Sequence, residues 1–286
     1  ITQYLDQCCI QYYSGTPIVS DEVFDKLAES SDYQAVGARQ HDNVKKHFNR
    51  LYSLQKHYEG EYKKPLEGIK NISITPKLDG ACISLLYLNG CLVQVLTRGD
   101  GQQGQDITDK FLARKDLVPL QINYLGVLQI AGEIVAPKHI ENSRNYAAGS
   151  LNLKDTEEFK LRAISFFAYS VFPFQSDTFS HDMEYLESLG FSTVLSGEAL
   201  NAIYDCDGIV FRVEDNAKFF DMGYTAKFPR GAYALKQRKE GVETTLLAVE
   251  WNTGRTGRVT PTAILEPVYI GDKLISRATL NNPGFI

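Results

Sequence analysis

The sequence predicts an α+β protein in which antiparallel sheets are flanked by helices. Two mainly apolar runs, 81–88 and 91–96, are separated only by Asn89 and Gly90. This dipeptide is typical of a two-residue hairpin turn, so the two runs are predicted to form antiparallel strands. Farther along, short apolar runs alternate with helical patterns such as Met183 to Leu189. That mixture is typical of antiparallel sheets with helices packed against them.

Composition divides the chain into three segments. Residues 1–46 carry helical patterns with polar connections, residues 47–243 carry the alternation of strands and helices, and residues 244–286 are rich in β-branched residues and turns. A chain of 286 residues can hold two or three domains. We therefore expect a small helical domain, a central α+β domain and the beginning of a β-rich domain.

Charge and cysteine content narrow the class of protein. A net charge of −5 argues against a surface coated with positive charge for nucleic acid. The five cysteines show no metal-ligand spacing, so they are expected to be reduced core residues. The sequence shows no signal-peptide pattern and no apolar run of membrane-spanning length. A cytoplasmic location is therefore expected.

A short helix is predicted near the amino terminus. Ser20 or Asp21 suits its cap, because a side-chain oxygen there accepts from free backbone N–H groups. Negative charge at Asp21 and Glu22 suits the positive end of the helix dipole. Phe24 and Leu27 give the helix an apolar stripe. Many structural helices share these features, so the pattern alone indicates no function.

A lysine stands beside a carboxylate and a glycine in Lys77-Leu78-Asp79-Gly80. A lysine amine must lose its proton before it can act as a nucleophile, and desolvation or neighbouring cations favour that loss. Asp79 is placed to orient the amine, and Gly80 would let the backbone approach a ligand closely. An isolated tetrapeptide of this kind is more often an ordinary surface turn. Its significance depends on the residues that follow.

A glycine-rich, charged turn follows the predicted hairpin, from Arg98 to Thr108. Such turns suit phosphates, because cations and unpaired backbone N–H groups are available there. The hairpin brings the start of one strand beside the end of the other. Lys77 and Arg98 are therefore predicted to face one pocket.

Basic residues are clustered near the end of the chain. A run of this kind is a solvated face about as often as it is a contact to a phosphate backbone. The cluster consists of Lys227, Arg230, Lys236, Arg238 and Lys239, followed by Arg255 and Arg258.

Seven ordered segments, spread over most of the chain, resemble the NAD-dependent DNA ligases. They are Lys77–Gly80, Arg98–Thr108, Gly132–Glu133, Ser143–Leu151, Phe166–Tyr169, Asp207–Arg212 and Ala234–Lys236. In addition, residues 11–27 resemble the helical domain that binds the nicotinamide mononucleotide (NMN) half of NAD, and residues 254–282 are similar to the beginning of the family's OB-fold domain. Chance is a poor explanation for so many segments in the family's order.

The resemblance implies both a domain layout and an activity. The layout is a helical NMN-binding domain in 1–46, an adenylation domain of the nucleotidyltransferase fold in 47–243, and the beginning of an OB barrel in 244–286. The implied activity is that of an NAD-dependent DNA ligase that uses NAD and Mg²⁺ and seals nicked double-stranded DNA in replication and repair. Carboxy-terminal domains or a second subunit are expected to complete the OB barrel, and no membrane partner is expected.

The resemblance also assigns residues to the reaction. Lys77 would attack the α-phosphate of NAD, forming lysyl-AMP and releasing NMN, and AMP would then pass to a DNA 5′-phosphate. The implied catalytic set is Lys77, Asp79, Arg98, Glu133, Asp207, Arg212 and Lys236. Glu133 and Asp207 are expected to hold the metal through water, and Tyr169 is expected to stack on adenine. The implied cofactor-binding set is Tyr12, Asp21, Phe24, Asp25, Leu54, Thr75, Gly80, Arg144 and Tyr169.

Several positions depart from the family pattern. Such departures are expected of a divergent member of the family, such as a viral one. Thr75 stands where a glutamate reads the adenine amino group, and Arg212 replaces a lysine with a bulkier, planar cation. Gln105, Ala131 and Asn152 also replace charged residues.

Three alternatives remain open. An ATP-dependent ligase or a capping-type nucleotidyltransferase is disfavoured by the segment 98–108 and by the amino-terminal helix. A catalytically weak nucleotidyltransferase fold that serves a partner is suggested by Thr75, Ala131 and Asn152. A generic nucleotide-binding protein would have no need of Lys77.

Overall fold

The structure is a computed structural model, and it describes residues 1, 4–5, 8, 19–31, 43–61, 65–195, 197–236, 241–253, 259–270 and 273–280. The chain forms two compact units, Ile1–Gln237 and Arg238–Ile286. The expected boundary between 46 and 47 stays a prediction.

The first unit begins with helix α1, Asp21–Ser30. The side chain of Ser20 accepts a hydrogen bond from the Val23 N–H, which confirms the predicted cap. Leu27 is fully buried, and Phe24 is partly buried beside it in the same apolar cluster. The side chains of Asp21 and Asp25, and all of Tyr12, lie outside the described residues.

A four-stranded antiparallel sheet forms the centre of the first unit, in the order β5-β4-β7-β8. Its strands are β4 (Ala81–Leu88), β5 (Cys91–Thr97), β7 (Val127–Val135) and β8 (Ser165–Phe172). Asn89 and Gly90 both have positive φ, at 45° and 79°, as the hairpin turn requires. The predicted hairpin is therefore confirmed.

The main core lies on one face of this sheet. Helices α2 (Thr108–Ala113), α3 (Ser143–Asn152), α4 (Thr156–Lys160) and α5 (Phe179–Ser188) cover that face. Their fully buried side chains include Phe111, Phe159 and Met183. On the other face, Leu86 and Leu88 pack in one cluster with Leu27 and Phe48. The central sheet is therefore covered on one face by the main core and on part of its other face by this second cluster.

A second four-stranded sheet has the order β2-β10-β9-β3. Its strands are β2 (Gln55–Tyr58), β3 (Ile72–Leu78), β9 (Cys206–Val213) and β10 (Ala232–Lys236). The β2–β10 pair is parallel, and the other pairs are antiparallel. Helices α6 (Gly197–Ile203) and α7 (Asn216–Asp221) flank β9 in the chain.

Two short strands connect the amino-terminal side of the unit to the glycine-rich turn. Strand β1 (Val44–Lys46) pairs antiparallel with β6 (Gln103–Gln105). This pairing fixes the segment that follows β1 against the turn that begins at Arg98.

The second unit contains a three-stranded antiparallel sheet in the order β11-β12-β13. Its strands are β11 (Leu246–Thr253), β12 (Val259–Ile270) and β13 (Lys273–Thr279), as the strand-rich composition predicted. Within the described part of the chain, no helix combines the length and apolar character needed to cross a membrane.

The expectation that the cysteines are core residues holds only in part. Cys8 is buried and Cys82 is partly buried, but Cys91 and Cys206 are exposed. Each of the two exposed cysteines is the first residue of its strand. At a strand end, apolar neighbours in the sequence do not guarantee that other segments bury the side chain. Cys9 lies outside the described residues.

Candidate active site

A cleft of about 630 Å³ opens in the first unit and is lined by both four-stranded sheets. That volume is in the range of small-molecule sites. The predicted site residues that line it are Leu54, Thr75, Lys77, Asp79, Gly80, Arg98, Glu133, Arg144, Tyr169, Asp207, Arg212 and Lys236. The fold therefore brings together residues from 54 to 236 in one cavity, with Lys77 and Arg98 facing the same space as predicted.

One carboxylate lies between two lysines on the floor of the cleft. The Asp207 Oδ1 lies 2.9 Å from the Lys77 Nζ, and the Asp207 Oδ2 lies 2.5 Å from the Lys236 Nζ. The side chains of Lys77 and Asp207 are 29% and 19% exposed, so a ligand in the cleft can reach them. Burial by itself would raise the pKa of Asp207, but the hydrogen bonds from Lys236 and Lys77 outweigh burial and lower it. Asp207 is therefore a carboxylate at neutral pH.

A β-bulge aims Asp207 into the cleft. Across the β3–β9 pair, Lys77 is opposite Gly208, and the next residue, Leu78, is opposite Cys206, so Asp207 has no opposite residue. A bulge of this kind re-aims the extra side chain. It places Asp207 on the cleft side of β9, together with Val210 and Arg212.

Asp79 is held by a second ion pair at the mouth of the site. Its Oδ1 lies 3.1 Å from the Arg144 Nη1, and its backbone N–H donates to the Asp205 carbonyl at 2.8 Å. Burial raises the pKa of Asp79, and the Arg144 charge opposes that rise. Gly80 is required by a close approach within the protein, because a Cβ there would lie 2.1 Å from the Ile134 carbonyl oxygen of β7.

Glu133 is a carboxyl group that titrates near neutral pH. Burial raises its pKa to about 7, and the nearby charge of Lys77 limits that rise. Opposite Glu133 on the neighbouring strand is Cys82, whose thiol has its pKa raised by burial to about 12 and is therefore protonated. The Tyr169 hydroxyl donates to the Cys82 Sγ at 2.9 Å. This bond fixes the tyrosine ring at the wall of the cleft.

The glycine-rich turn presents Arg98 to the cleft. One guanidinium nitrogen of Arg98 donates to the Ser53 hydroxyl, whereas its buried Nε has no acceptor among the residues that the structure describes. The turn needs its glycines: Gly99 has φ of 53°, and a Cβ at Gly104 would lie 1.7 Å from the Thr97 carbonyl oxygen.

Arg212 lines the same cleft but is held in a different way. Its guanidinium lies 4.1 Å from the ring centre of Phe219 and 4.6 Å from that of Phe179, and Nη2 donates to the Asn216 Oδ1 at 2.7 Å. Asn216 in turn donates to Asp182. Burial lowers the pKa of Arg212 to about 10, so it remains a cation at neutral pH.

Sequence reasoning did not single out His47, which contacts the turn at Arg98 without lining the cleft. It is only 8% exposed, and its ring contacts Ser84 and the Arg98 carbonyl. Burial lowers its pKa, and the hydrogen bond with Arg98 opposes that shift. Two features of the sequence could have pointed to it: it lies in the segment that enters the central domain, and the apolar Phe48 follows it.

The donor set suits a hard cation held mainly through water. Within the described ranges, no group of three or more histidine, cysteine or carboxylate side chains forms a protein-only metal cage. Magnesium is usually held by one or two carboxylates together with waters and substrate phosphates. Glu133 and Asp207 line one cleft, and both oxygens of Asp207 already face ammonium groups. Glu133 is therefore the more available of the two.

Of the basic cluster, the structure places Lys236 in the cleft and leaves Lys227 and Arg230 exposed. The others, Arg238, Lys239, Arg255 and Arg258, lie outside the described residues.

Comparison with known proteins identifies the family. The model of the NAD-dependent DNA ligase adenylation domain matches residues 40–203, which is more than half of the chain. The chain belongs to the NAD-dependent DNA ligase family. The model of the NAD-dependent DNA ligase OB-fold domain matches residues 243–286. The resemblance seen in the sequence and the expected fold class are thereby confirmed.

Relatives of this ligase-family chain include the DNA ligase of Staphylococcus saprophyticus, which is 38% identical over 247 residues. The match covers 73% of this chain and 37% of that ligase, so the chain spans little more than a third of this relative's length. Among solved structures, a mycobacterial DNA ligase D complexed with ATP and MES matches at 11% identity and a TM-score of 0.36, over 74% of this chain and 68% of that one. An RNA ligase mutant of Naegleria gruberi with ATP and Mn matches at 13% identity and a TM-score of 0.29, over 58% and 49%.

Proposed function

We propose that the chain carries out the adenylating half-reaction of an NAD-dependent DNA ligase, with Lys77 as the residue that accepts AMP. The observation that carries the proposal is the pairing of Lys77 and Lys236 on one carboxylate at the floor of the cleft. This arrangement holds the lysine in one orientation. It also places a second cation beside the position where phosphoryl charge would develop.

In the proposed step, the neutral Lys77 Nζ attacks the α-phosphorus of NAD. A P–N bond forms, the bond from that phosphorus to the bridging oxygen breaks, and NMN leaves with the oxygen and its electron pair. The lysine gives up a proton on the way. Asp207, at 2.9 Å, would orient the amine, and we assign Glu133 to accept the proton, because its pKa of about 7 suits proton transfer at neutral pH.

Cations around the cleft stabilise the charge on the phosphoryl oxygens. Lys236 is fixed by Asp207, and the Arg98 side chain lines the cleft while it is held by Ser53. Donors held in place before the reaction stabilise developing charge without reorganisation. Arg212 adds its charge at longer range, since its guanidinium is already engaged by Asn216 and by phenylalanine rings.

The remaining wall of the cleft suits the adenosine. We assign Tyr169 to stacking on adenine, with Thr75 and Leu54 beside it, because all three line the cleft. Asp79 and Arg144, paired at 3.1 Å, are assigned to the ribose and phosphate side. For the NMN half we keep Tyr12, Asp21, Phe24 and Asp25 as predictions from the resemblance.

Magnesium, when bound, would share the charge of the phosphates. Glu133 and Asp207 are the carboxylates that we assign to its water shell, because both line the cleft. In the complete reaction, AMP would pass to a 5′-phosphate at a nick in double-stranded DNA, in repair and replication. We propose that further ligase segments or a second subunit hold the DNA during those later steps.

The test uses NAD labelled in its adenylate phosphate, with magnesium present, and detects label bound covalently to the chain. Labelling is expected with the wild type and is expected to be lost in Lys77→Ala and in Lys77→Arg, because a guanidinium remains protonated. Lys154→Ala, at an exposed lysine outside the cleft, is the matched control and should label normally.

A parallel reaction with labelled ATP tests the choice of cofactor. Equal labelling by ATP and NAD would overturn the NAD assignment. Labelling of Lys77→Ala at the wild-type level would overturn the assignment of the nucleophile.

A further inference from the structure

The ring of His47 connects strand β4 to the backbone of the glycine-rich turn. Its Nδ1 lies 2.8 Å from the Ser84 Oγ on β4, and its Nε2 lies 3.1 Å from the Arg98 carbonyl oxygen. A carbonyl only accepts, so Nε2 must carry a proton. In the neutral ring, Nδ1 then accepts from the Ser84 hydroxyl, which fixes both the tautomer and the plane of the ring.

The segment from His47 to Ser53 contacts both the backbone of the turn and the side chain of Arg98. The His47 N–H donates to the Gln102 carbonyl at 2.8 Å, and the Leu51 N–H donates to the Gly101 carbonyl at 2.8 Å. Ser53 accepts from the Arg98 guanidinium. The Arg98 carbonyl thus accepts from His47 and also from the Gly101 N–H at 3.0 Å, and the Arg98 side chain is held by Ser53.

We propose that His47 is a positioning residue for lysine adenylation: its Nε2–H bond to the Arg98 carbonyl fixes the turn so that the Arg98 guanidinium faces the cleft. The inference rests on the function proposed above. His47 itself does not line the cleft, so it acts through Arg98. Arg98 lines the cleft, so the bond from His47 to the Arg98 carbonyl would hold a cleft-facing cation in place for a phosphate.

The test compares two amides that imitate different nitrogens of the ring. In His47→Gln the side-chain amide reaches about as far as Nε2 and can still donate to the Arg98 carbonyl, whereas in His47→Asn it reaches only the place of Nδ1. We expect His47→Asn to lower the maximal rate of lysyl-AMP formation by about 10- to 100-fold, with a smaller change in KM for NAD. We expect His47→Gln to remain within about 3-fold of the wild type.

His181→Asn, at an exposed histidine on α5, is the matched control for the exchange of a histidine. It should leave the rate unchanged. A rate for His47→Gln as low as that for His47→Asn would overturn the proposal, because the donor at the Nε2 position would then have no role.

A double-mutant cycle with Arg98→Ala separates positioning from a general loss of structure. If His47 acts through Arg98, His47→Asn should lower the rate no further once Arg98 is alanine. An equal fall in both backgrounds would overturn the proposal. Where His47→Asn does not fold, Ser84→Ala takes its place in the same cycle, with a smaller fall expected and the same dependence on Arg98.

The outcome can be told apart from failure of the proposed function. Absence of NAD-dependent labelling in the wild type would refute the function itself. Normal labelling of the wild type together with a normal rate in His47→Asn would refute only the role of His47.

Discussion

Each end of strand β9 carries a charged side chain, and the two side chains differ in the kind of group that surrounds them. At one end Asp207 lies between two ammonium groups and is 19% exposed to the cleft. At the other end Arg212 is packed against the rings of Phe179 and Phe219 and hydrogen-bonded to Asn216. The first charge is paired directly with two cations that a ligand can reach, whereas the second is in direct contact with aromatic rings and a neutral amide, and Asp182 and Glu214 act on it only at longer range.

The difference teaches how one strand can serve both chemistry and stability. A carboxylate paired with two ammonium groups that a ligand can reach is able to orient a nucleophile. A guanidinium between rings is stabilised by its fixed surroundings, and removing it would leave a cavity and an unpaired amide. We therefore expect changes at Asp207 to affect the reaction and changes at Arg212 to affect mainly the fold.

The largest effect is expected for Asp207→Asn. The amide keeps the shape but cannot hold two ammonium groups by charge, so the rate of lysyl-AMP formation from NAD should fall by about 1,000-fold. Single-turnover labelling measures this rate. Asp221→Asn, at an exposed position on α7, is the control, because it removes the same charge outside the cleft and should leave the rate unchanged. A rate for Asp207→Asn within 10-fold of the wild type, which is about 1.4 kcal/mol of barrier, would remove the distinction between the two ends.

Arg212→Ala should lower the free energy of unfolding of the first unit by about 3 kcal/mol. The cause is the loss of the contacts between the guanidinium and the aromatic rings, together with the loss of the hydrogen bond that Arg212 donates to the Asn216 Oδ1. Denaturant unfolding, followed by a probe in the first unit, measures the change. Arg212→Lys should recover only part of it, because an ammonium cannot reproduce the planar stacking. Full recovery by lysine would show that charge alone matters at this end.

Glu133 should make stability depend on pH at the cleft. Its pKa in the folded protein, about 7, is above its ordinary value of 4.5, so the folded state keeps a proton that the unfolded state has lost. Stability from this group is present below pH 4.5 and is lost as pH rises to about 7. Glu133→Gln should therefore lose less stability than the wild type between pH 5 and pH 8, by on the order of 1–3 kcal/mol. Identical pH profiles would contradict the burial of this carboxyl.

The smallest effect is expected for Tyr169→Phe. The substitution removes the hydroxyl that donates to Cys82 but keeps the ring, so the free energy of unfolding should change by about 1 kcal/mol or less. The KM for NAD should stay close to that of the wild type. Tyr169→Ala should raise KM clearly, because it removes the proposed stacking surface. Equal KM values for the two variants would argue against stacking on this ring.

Much of the site could be named before the structure was known, because its residues stand in motifs of fixed order. Lys77, Arg98 and Lys236 were expected in one pocket, and they line one cleft. His47 was not found, because its place in the segment that enters the central domain and the apolar Phe48 beside it do not report its burial or its partners. The exposure of Cys206 was also missed, since an apolar run does not show where a sheet leaves an end uncovered.

The sequence by itself determined the α+β class, the hairpin at Asn89 and Gly90, and the identity of the candidate nucleophile. The class and the hairpin depend on local rules, namely residue periodicity and turn geometry, whereas the candidate nucleophile was implied by the resemblance of ordered motifs to the ligase family. Only the tertiary structure decided that Asp207 is aimed into the cleft by a bulge and that Arg212 is enclosed by rings from other segments. The physical reason is that strand register and the packing of distant side chains decide which groups meet, and both are set by contacts across the fold.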